Sequence, residues 1–167
     1  EFILKDLNKD IDVVQSYSDP ITGDFLVTMP TEDLYGCFVD KEGYMPFTLN
    51  FDLKIPENSE EPYYIDIPLK PLGNADGENI LANVLFDLDK ATLRKESFVE
   101  LNKFAKFLIA HPDLKIELQG HTDAQGDDAH NLELSKNRAK AVYDYLVAQG
   151  VNPKQMTHKG YGETKPS

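Results

Sequence analysis

The chain is 167 residues long and has one cysteine, Cys37. An internal disulfide is therefore excluded, and a lone thiol does not decide the redox compartment. Cys37 sits in the apolar, strand-like run Leu34–Val39, where a free thiol packs as a small hydrophobe rather than acting as a nucleophile. Runs of 18 apolar residues are also missing, so no transmembrane helix is expected. The opening Glu1-Phe-Ile-Leu-Lys-Asp6 lacks the basic region, apolar core and small-residue cleavage site of a signal peptide. With no initiating Met, it reads as a mature segment or an expressed fragment, Glu1-Phe2 being partly a cloning remnant. There is no repeat at 20–50 residue spacing and no low-complexity tract. Nucleophile–base pairs, metal motifs and glycine-rich phosphate loops are absent too.

Basic charge is scarce in the first half. Residues 1–78 hold 17 acidic and 5 basic residues, which accounts for the whole net charge of −12. Residues 79–167 hold 12 of each sign. An acidic surface repels phosphate backbones, so nucleic acid is not an expected partner. The acidic half serves either as a solubility coat or as a docking surface for a protein partner or cation.

What the chain does contain divides in two. Residues 1–72 read as β. Phe2–Leu4, Ile11–Val14, Phe25–Met29, Leu34–Val39, Phe47–Leu53 and Tyr63–Leu69 are short runs rich in β-branched and aromatic residues. Turn signals separate them at Asp19-Pro20, Thr22-Gly23-Asp24, Met29-Pro30, Glu42-Gly43 and Ile55-Pro-Glu-Asn58. Regular short strands without a helical period predict a small β-sandwich. Residues 73–79, with glycine, asparagine and a shift in charge balance, form the expected linker.

Residues 80–167 alternate. Ile80–Phe86 is an expected strand, followed by the polar loop Asp87–Thr92. Ser97–Ala110 carries Phe98, Leu101, Ala105 and Leu108 at helical spacing, widened by Phe104 and Phe107, and Pro112 stops it. Leu114–Gly120 is the next strand. Asp127 or Asp128 caps a long helix that ends near Gln149, with Gly150 as its C-terminal cap. Asn152–Gln155 is a turn, and Met156–Tyr161 a last strand. The expected fold class is α+β: a small N-terminal sandwich, then a βαβαβ α/β sandwich.

The candidate site lies between the second strand and second helix of this domain. On the helical wheel, Leu134, Val142, Tyr145 and Leu146 form an apolar stripe with Ala141 beside it, and Arg138 falls inside the stripe. A guanidinium aimed at a sheet needs an anion. Asp123, in the loop after the preceding strand, is the first candidate. Two readings remain open from the residues alone. Asp123 and Arg138 pair with each other, or Arg138 snorkels to water. Alternatively both face a cleft, where Asp123 takes an ammonium and Arg138 takes a carboxylate through a planar two-point contact.

The motifs add a resemblance. Val84-Leu-Phe-Asp-Leu-Asp-Lys-Ala-Thr-Leu93, Gly120-His-Thr-Asp123, Gly126, Asn131, Leu134-Ser-x-x-Arg-Ala139, Ala141-Val142, Tyr145-Leu146, Gly150-Val151 and Gly160-Tyr-Gly-Glu163 together resemble the OmpA-like C-terminal domain. The match spans residues 80–165 in order. The resemblance implies a non-catalytic domain that binds peptidoglycan through the meso-diaminopimelate residue of the stem peptide. It tethers an outer-membrane protein to the wall, on the periplasmic face, through an anchor outside this chain. It implies that Asp123 contacts the ligand ammonium and Arg138 its carboxylate. Asp87 and Phe86 then border the pocket, and Thr122, Asn131 and Leu134 line it. Diaminopimelate ends its side chain in an amino-acid terminus, whereas lysine lacks that carboxylate. Losing it would cost about 1.5–3 kcal/mol per charge-assisted bond. A single site would bind modestly, and a polymer would be held by avidity.

Ser18–Val27, Tyr35–Val39 and Lys41-Glu-Gly-Tyr44 similarly resemble the carboxypeptidase-regulatory-like, transthyretin-like β-sandwich over residues 2–69. That resemblance implies that the sandwich starts one strand late, leaving an unfinished edge. Three other functions are open to these residues. A metal site at His121, Asp123 and His130 has no recognised ligand spacing. A hydrolase using Asp87, Asp89 and Asp123 lacks a partner to activate water. A protein-docking module of an outer-membrane assembly is the remaining alternative. No cofactor is expected.

Overall fold

The computed structural model describes residues 1–28, 34–51, 64–72, 81–123 and 127–163. The chain divides into two compact units, Glu1–Asn83 and Val84–Ser167. The expected linker, residues 73–79, lies outside the described residues.

The first unit is built on four antiparallel strands: β1 (Phe2–Asp6), β2 (Ile11–Ser16), β3 (Tyr35–Val39) and β4 (Phe47–Phe51). Their order is β2-β1-β3-β4. Leu4 pairs with Cys37 and Phe2 with Val39, which puts these four side chains on one face. Phe2, Leu4, Tyr35, Cys37 and Val39 form the core there. Burial pushes the Cys37 thiol up to about 12, as expected for an inert buried cysteine.

Two expected strands are not strands. Phe25–Thr28 and residues 64–69 have no ladder, and Met29, residues 52–53 and Tyr63 fall outside the described residues. The alternation read from the sequence nevertheless sets their packing. Phe25, Val27, Ile65, Ile67 and Leu69 turn inward onto the core, while Leu26, Asp66 and Pro68 turn outward. Among the described residues, the second layer of this unit is extended chain rather than a sheet. Pro68 lacks an N–H for a ladder, which fits that outcome.

The second unit contains α1 (Ser97–Ala110), β5 (Ile116–Gly120), α2 (Asp128–Ala148), a 3-10 turn (Pro153–Gln155) and β6 (Met156–Gly160). β5 and β6 run parallel with Gly120 opposite Gly160, and α2 lies against both. Leu101, Phe104, Ala105 and Leu108 of α1 are buried as expected, with Val99. The buried Gln155 donates to the Leu108 and His111 carbonyls, supplying partners that the end of α1 lacks within itself. Gly150, at φ 97°, closes α2.

The expected strand Ile80–Phe86 is absent over its described part, 81–86. The Leu85 N–H donates to Ser97 Oγ, and the Leu85 carbonyl accepts from that hydroxyl and from the Arg94 N–H. Those polar groups are taken before a ladder could use them. Phe86 instead bridges Leu93 in an antiparallel pair. The stretch between becomes a tight turn, closed by Asp87 N–H to the Thr92 carbonyl at 3.1 Å.

The buried stripe of α2 also differs from the wheel. It runs through Asn131, Ser135, Ala139, Val142 and Leu146. Leu134, Arg138 and Tyr145 are half-buried at its edge. The reason is close approach. A Cβ on Gly120 would stand 2.0 Å from the Ser135 carbonyl oxygen, and one on Gly160 would stand 2.3 Å from the Lys136 nitrogen. Only small residues fit where helix backbone meets strand backbone, so the polar Ser135 is buried and Leu134 is displaced to the rim.

Gly120→Ala and Gly160→Ala are each expected to destabilise the second unit by roughly 3 kcal/mol, the upper end for overpacking, because the obstructing atoms are backbone. Denaturant midpoints check this. The Cys37 thiol is expected to react with a thiol reagent only under denaturing conditions.

Candidate functional site

Two loops flank the N-terminal half of α2. The first follows β5. Here the pairing of β5 with β6 continues past the strands: Tyr161 N–H donates to the Gly120 carbonyl at 2.9 Å, and Thr122 N–H to the Gly162 carbonyl at 3.0 Å. Ser135 anchors this junction from below. Its hydroxyl donates to the Leu132 carbonyl and accepts from the Gly162 N–H. Gly162 has φ 56°, with Leu132 backbone 3.3 Å from where a Cβ would sit, so this tight approach also requires glycine. Asn131, buried at the start of the helix, reaches the Asp123 carbonyl and Glu163, each at 3.4 Å. The Asp123 side chain is exposed. Residues 124–126 lie outside the described residues. Asp127 caps α2, accepting from the His130 N–H.

The second loop is the 87–92 turn. His130 Nε2 meets Asp89 Oδ1 at 2.6 Å. Two turns along the helix, Arg138 Nε donates to the Lys90 carbonyl at 3.0 Å. The guanidinium carbon lies 5.2 Å from the Phe86 ring centroid. A cation over an aromatic face is attracted to it, and the ring fixes the plane of the fork. Asp89 itself adopts φ 53°, unusual for a residue with a side chain.

Among the described residues no ion pair joins Asp123 to Arg138, and Arg138 has no hydrogen bond besides that to Lys90. The two terminal nitrogens of its guanidinium therefore remain open. The direct-pairing reading from the sequence is not what the structure adopts. Neither is simple snorkelling, since one edge of the guanidinium is bound and one face is covered.

The structure brings Phe86 to Arg138, and Asn131 to Asp123. Asp87 is exposed, with its backbone holding the turn closed. Leu134 is half-buried on the helix between the two loops. Thr122 is buried, and its hydroxyl has no partner. Among the described residues no three candidate metal ligands converge. Sequence reasoning missed Ser135, Lys90 and the Asp89–His130 pair. A serine within an otherwise apolar stripe, facing a Gly-x-Gly strand end, was the available signal for Ser135. Lys90 acts through its carbonyl, which no side-chain pattern reveals.

Such a unit, two parallel strands backed by a helix whose N-terminal half is framed by charged loops, belongs to the α/β class. Residues 85–167 match the model of the OmpA family. The C-terminal half of the chain belongs to that family. It is 40% identical over 84 residues to outer membrane porin F of Pseudomonas fluorescens, covering 50% of this chain and 26% of that protein. It is 35% identical over 88 residues to the peptidoglycan-associated lipoprotein of Rhizobium meliloti, covering 53% and 50%. The crystal structure of the peptidoglycan-associated lipoprotein from Burkholderia pseudomallei aligns with a TM-score of 0.48 at 36% identity, over 50% of this chain and 70% of that one. The chain thus spans about half or less of the length of the curated relatives it matches.

Ser135→Ala leaves the buried Gly162 N–H without its acceptor. The expected cost is about 1–3 kcal/mol, read as a lower denaturation midpoint and faster amide exchange at residues 161–163.

Proposed function

We propose that the OmpA-like domain associates non-covalently with peptidoglycan by gripping the diaminopimelate residue of the stem peptide. The observation that carries this reading is the state of Arg138. Its Nε is fixed to the Lys90 carbonyl and its face rests on Phe86, while its terminal nitrogens are open. Such a preset fork suits a carboxylate. Asp123, exposed at the end of the neighbouring loop, is the group for an ammonium. Because the two are not paired, no internal ion pair has to break before a ligand binds.

Asn131 fixes the loop that carries Asp123, and Phe86 fixes the plane of Arg138. Thr122 lies buried beneath the loop that carries Asp123, and Leu134 and Asp87 complete the walls. This role is binding, not catalysis, and it requires no cofactor. The relatives' names, a porin of the outer membrane and a lipoprotein associated with peptidoglycan, support a place at the periplasmic face of the outer membrane. There the domain would tether an outer-membrane protein to the wall. Among the described residues no helix is long and apolar enough to span a membrane.

Co-sedimentation with purified sacculi tests the reading. Asp123→Ala and Arg138→Ala are each expected to weaken retention at least about tenfold, from loss of a charge-assisted bond. Lysine-type sacculi are expected to be retained as poorly as diaminopimelate sacculi are by Arg138→Ala. Equal retention of all three proteins would overturn the proposal.

A further inference from the structure

The 87–92 turn does more than border the cleft. It supplies the carbonyl that orients Arg138 and follows directly from Phe86, on which the guanidinium rests. The turn is closed by its own backbone bonds, Asp87 N–H to the Thr92 carbonyl and Lys90 N–H to the Asp87 carbonyl, but the side chains of Asp87, Leu88, Asp89 and Lys90 are all exposed. Asp89 also sits in the left-handed region without being glycine. An outside tether would hold such an exposed path in one place. The described residues provide one on each side of the Asp89–Lys90 peptide: His130 holds the Asp89 carboxylate at 2.6 Å, and Arg138 holds the Lys90 carbonyl at 3.0 Å. His130 and Arg138 lie two turns apart on the same helix, roughly 12 Å along its axis, so the turn is held along one side of α2.

We propose that Asp89 and His130 are positioning residues for the ligand site, pinning the turn so that Lys90 and Phe86 hold Arg138 ready for a carboxylate. The inference rests on the proposed function of Arg138 and extends it to two residues that do not touch the ligand. Arg138 alone cannot both orient the turn and be oriented by it. His130 belongs to the first turn of a helix that Asp127 caps and the strand glycines seat, so it provides the fixed reference.

The tether is sensitive to pH. The charges acting on His130 are Asp89 from the turn and Asp127 from the helix cap, and its hydrogen bond to Asp89 raises its pKa above the ordinary 6.5. The charged pair is complete below that raised value. As pH rises through it, His130 loses its charge, the ion pair becomes a weaker hydrogen bond from a neutral imidazole to the Asp89 carboxylate, and the turn loosens. Ligand binding should weaken over the same interval. Both partners are more than half exposed, so the effect is modest, in the two- to fivefold range of a surface pair.

The experiment measures binding of a soluble diaminopimelate tetrapeptide to the full chain at about pH 5.5 and about pH 8.5, on either side of imidazole titration. Wild type is expected to bind roughly two- to fivefold more tightly at the lower pH. Asp89→Ala and His130→Ala should bind at the weaker level at both values. Asp89→Asn, which keeps an acceptor and tolerates the left-handed backbone, should restore most of the binding and remove the pH dependence. Asp123→Ala and Arg138→Ala serve as the reference. If they bind like wild type, the function assigned to Arg138 is wrong. If they fail while Asp89→Ala and His130→Ala match wild type at both pH values, the positioning role is wrong.

Discussion

The second unit depends on how closely α2 settles onto β5 and β6. Gly120 and Gly160 face each other across the two strands, and both leave room that the helix backbone at Ser135 and Lys136 occupies. That contact is steric, yet its consequences are polar. It brings the Ser135 hydroxyl within reach of Gly162, ties the two strand ends together, and lowers Asn131 to the level of the Asp123 carbonyl. A larger residue at either glycine would lift the helix and separate these partners together, because close-packed interiors transmit displacement rather than absorb it. The glycines are thus part of the site, although neither has a side chain.

The same seating explains why a charged residue tolerates a place beside the core. With Ser135 and Ala139 taking the contact with the sheet, Arg138 turns to the rim instead of inward. There one edge of the guanidinium finds a carbonyl and one face finds an aromatic ring. A fully buried guanidinium would need a fixed counter-ion. A fully exposed one would spend its time among many rotamers and lose that freedom on binding. Half-burial with a single backbone partner lies between these, leaving the forked edge both oriented and unoccupied. Preorganisation of this kind matters for a small ligand, which has few contacts with which to offset ordering costs.

Much of this was legible in the residues. The alternation of the first unit, the bounds of α1, and the capping roles of Asp127 and Gly150 all followed from spacing and composition. What was not legible shares one physical origin: backbone groups and small residues. The strand expected at Ile80–Phe86 was lost because Ser97 takes both polar backbone groups of Leu85. The stripe of α2 keeps the expected Val142 and Leu146 but runs through Ser135 and Ala139 rather than Leu134 and Arg138, because hydrophobicity ranks Leu134 above Ser135, whereas the glycines of the strands select for size. The extended segments of the first unit kept their inward and outward alternation but not their ladder, since side-chain pattern reports burial and says little about hydrogen bonding.

That contrast bears on how the cleft is organised. The two charged side chains proposed to grip the ligand are each placed through a backbone carbonyl. Asp123 depends on its own carbonyl, through Asn131. Arg138 depends on the Lys90 carbonyl, and the turn that carries Lys90 depends on Asp89 and His130. Hydrogen bonds to backbone carbonyls survive changes of the residue that supplies them, so the turn can vary at Leu88 or Lys90 without disturbing the fork. They do not survive a change of backbone path. The constraint therefore falls on the few residues that fix the path: Asp89 in its left-handed conformation, His130 that holds it, and the glycines that seat the helix. These are the positions where a substitution far from any ligand atom would change what the cleft can grip.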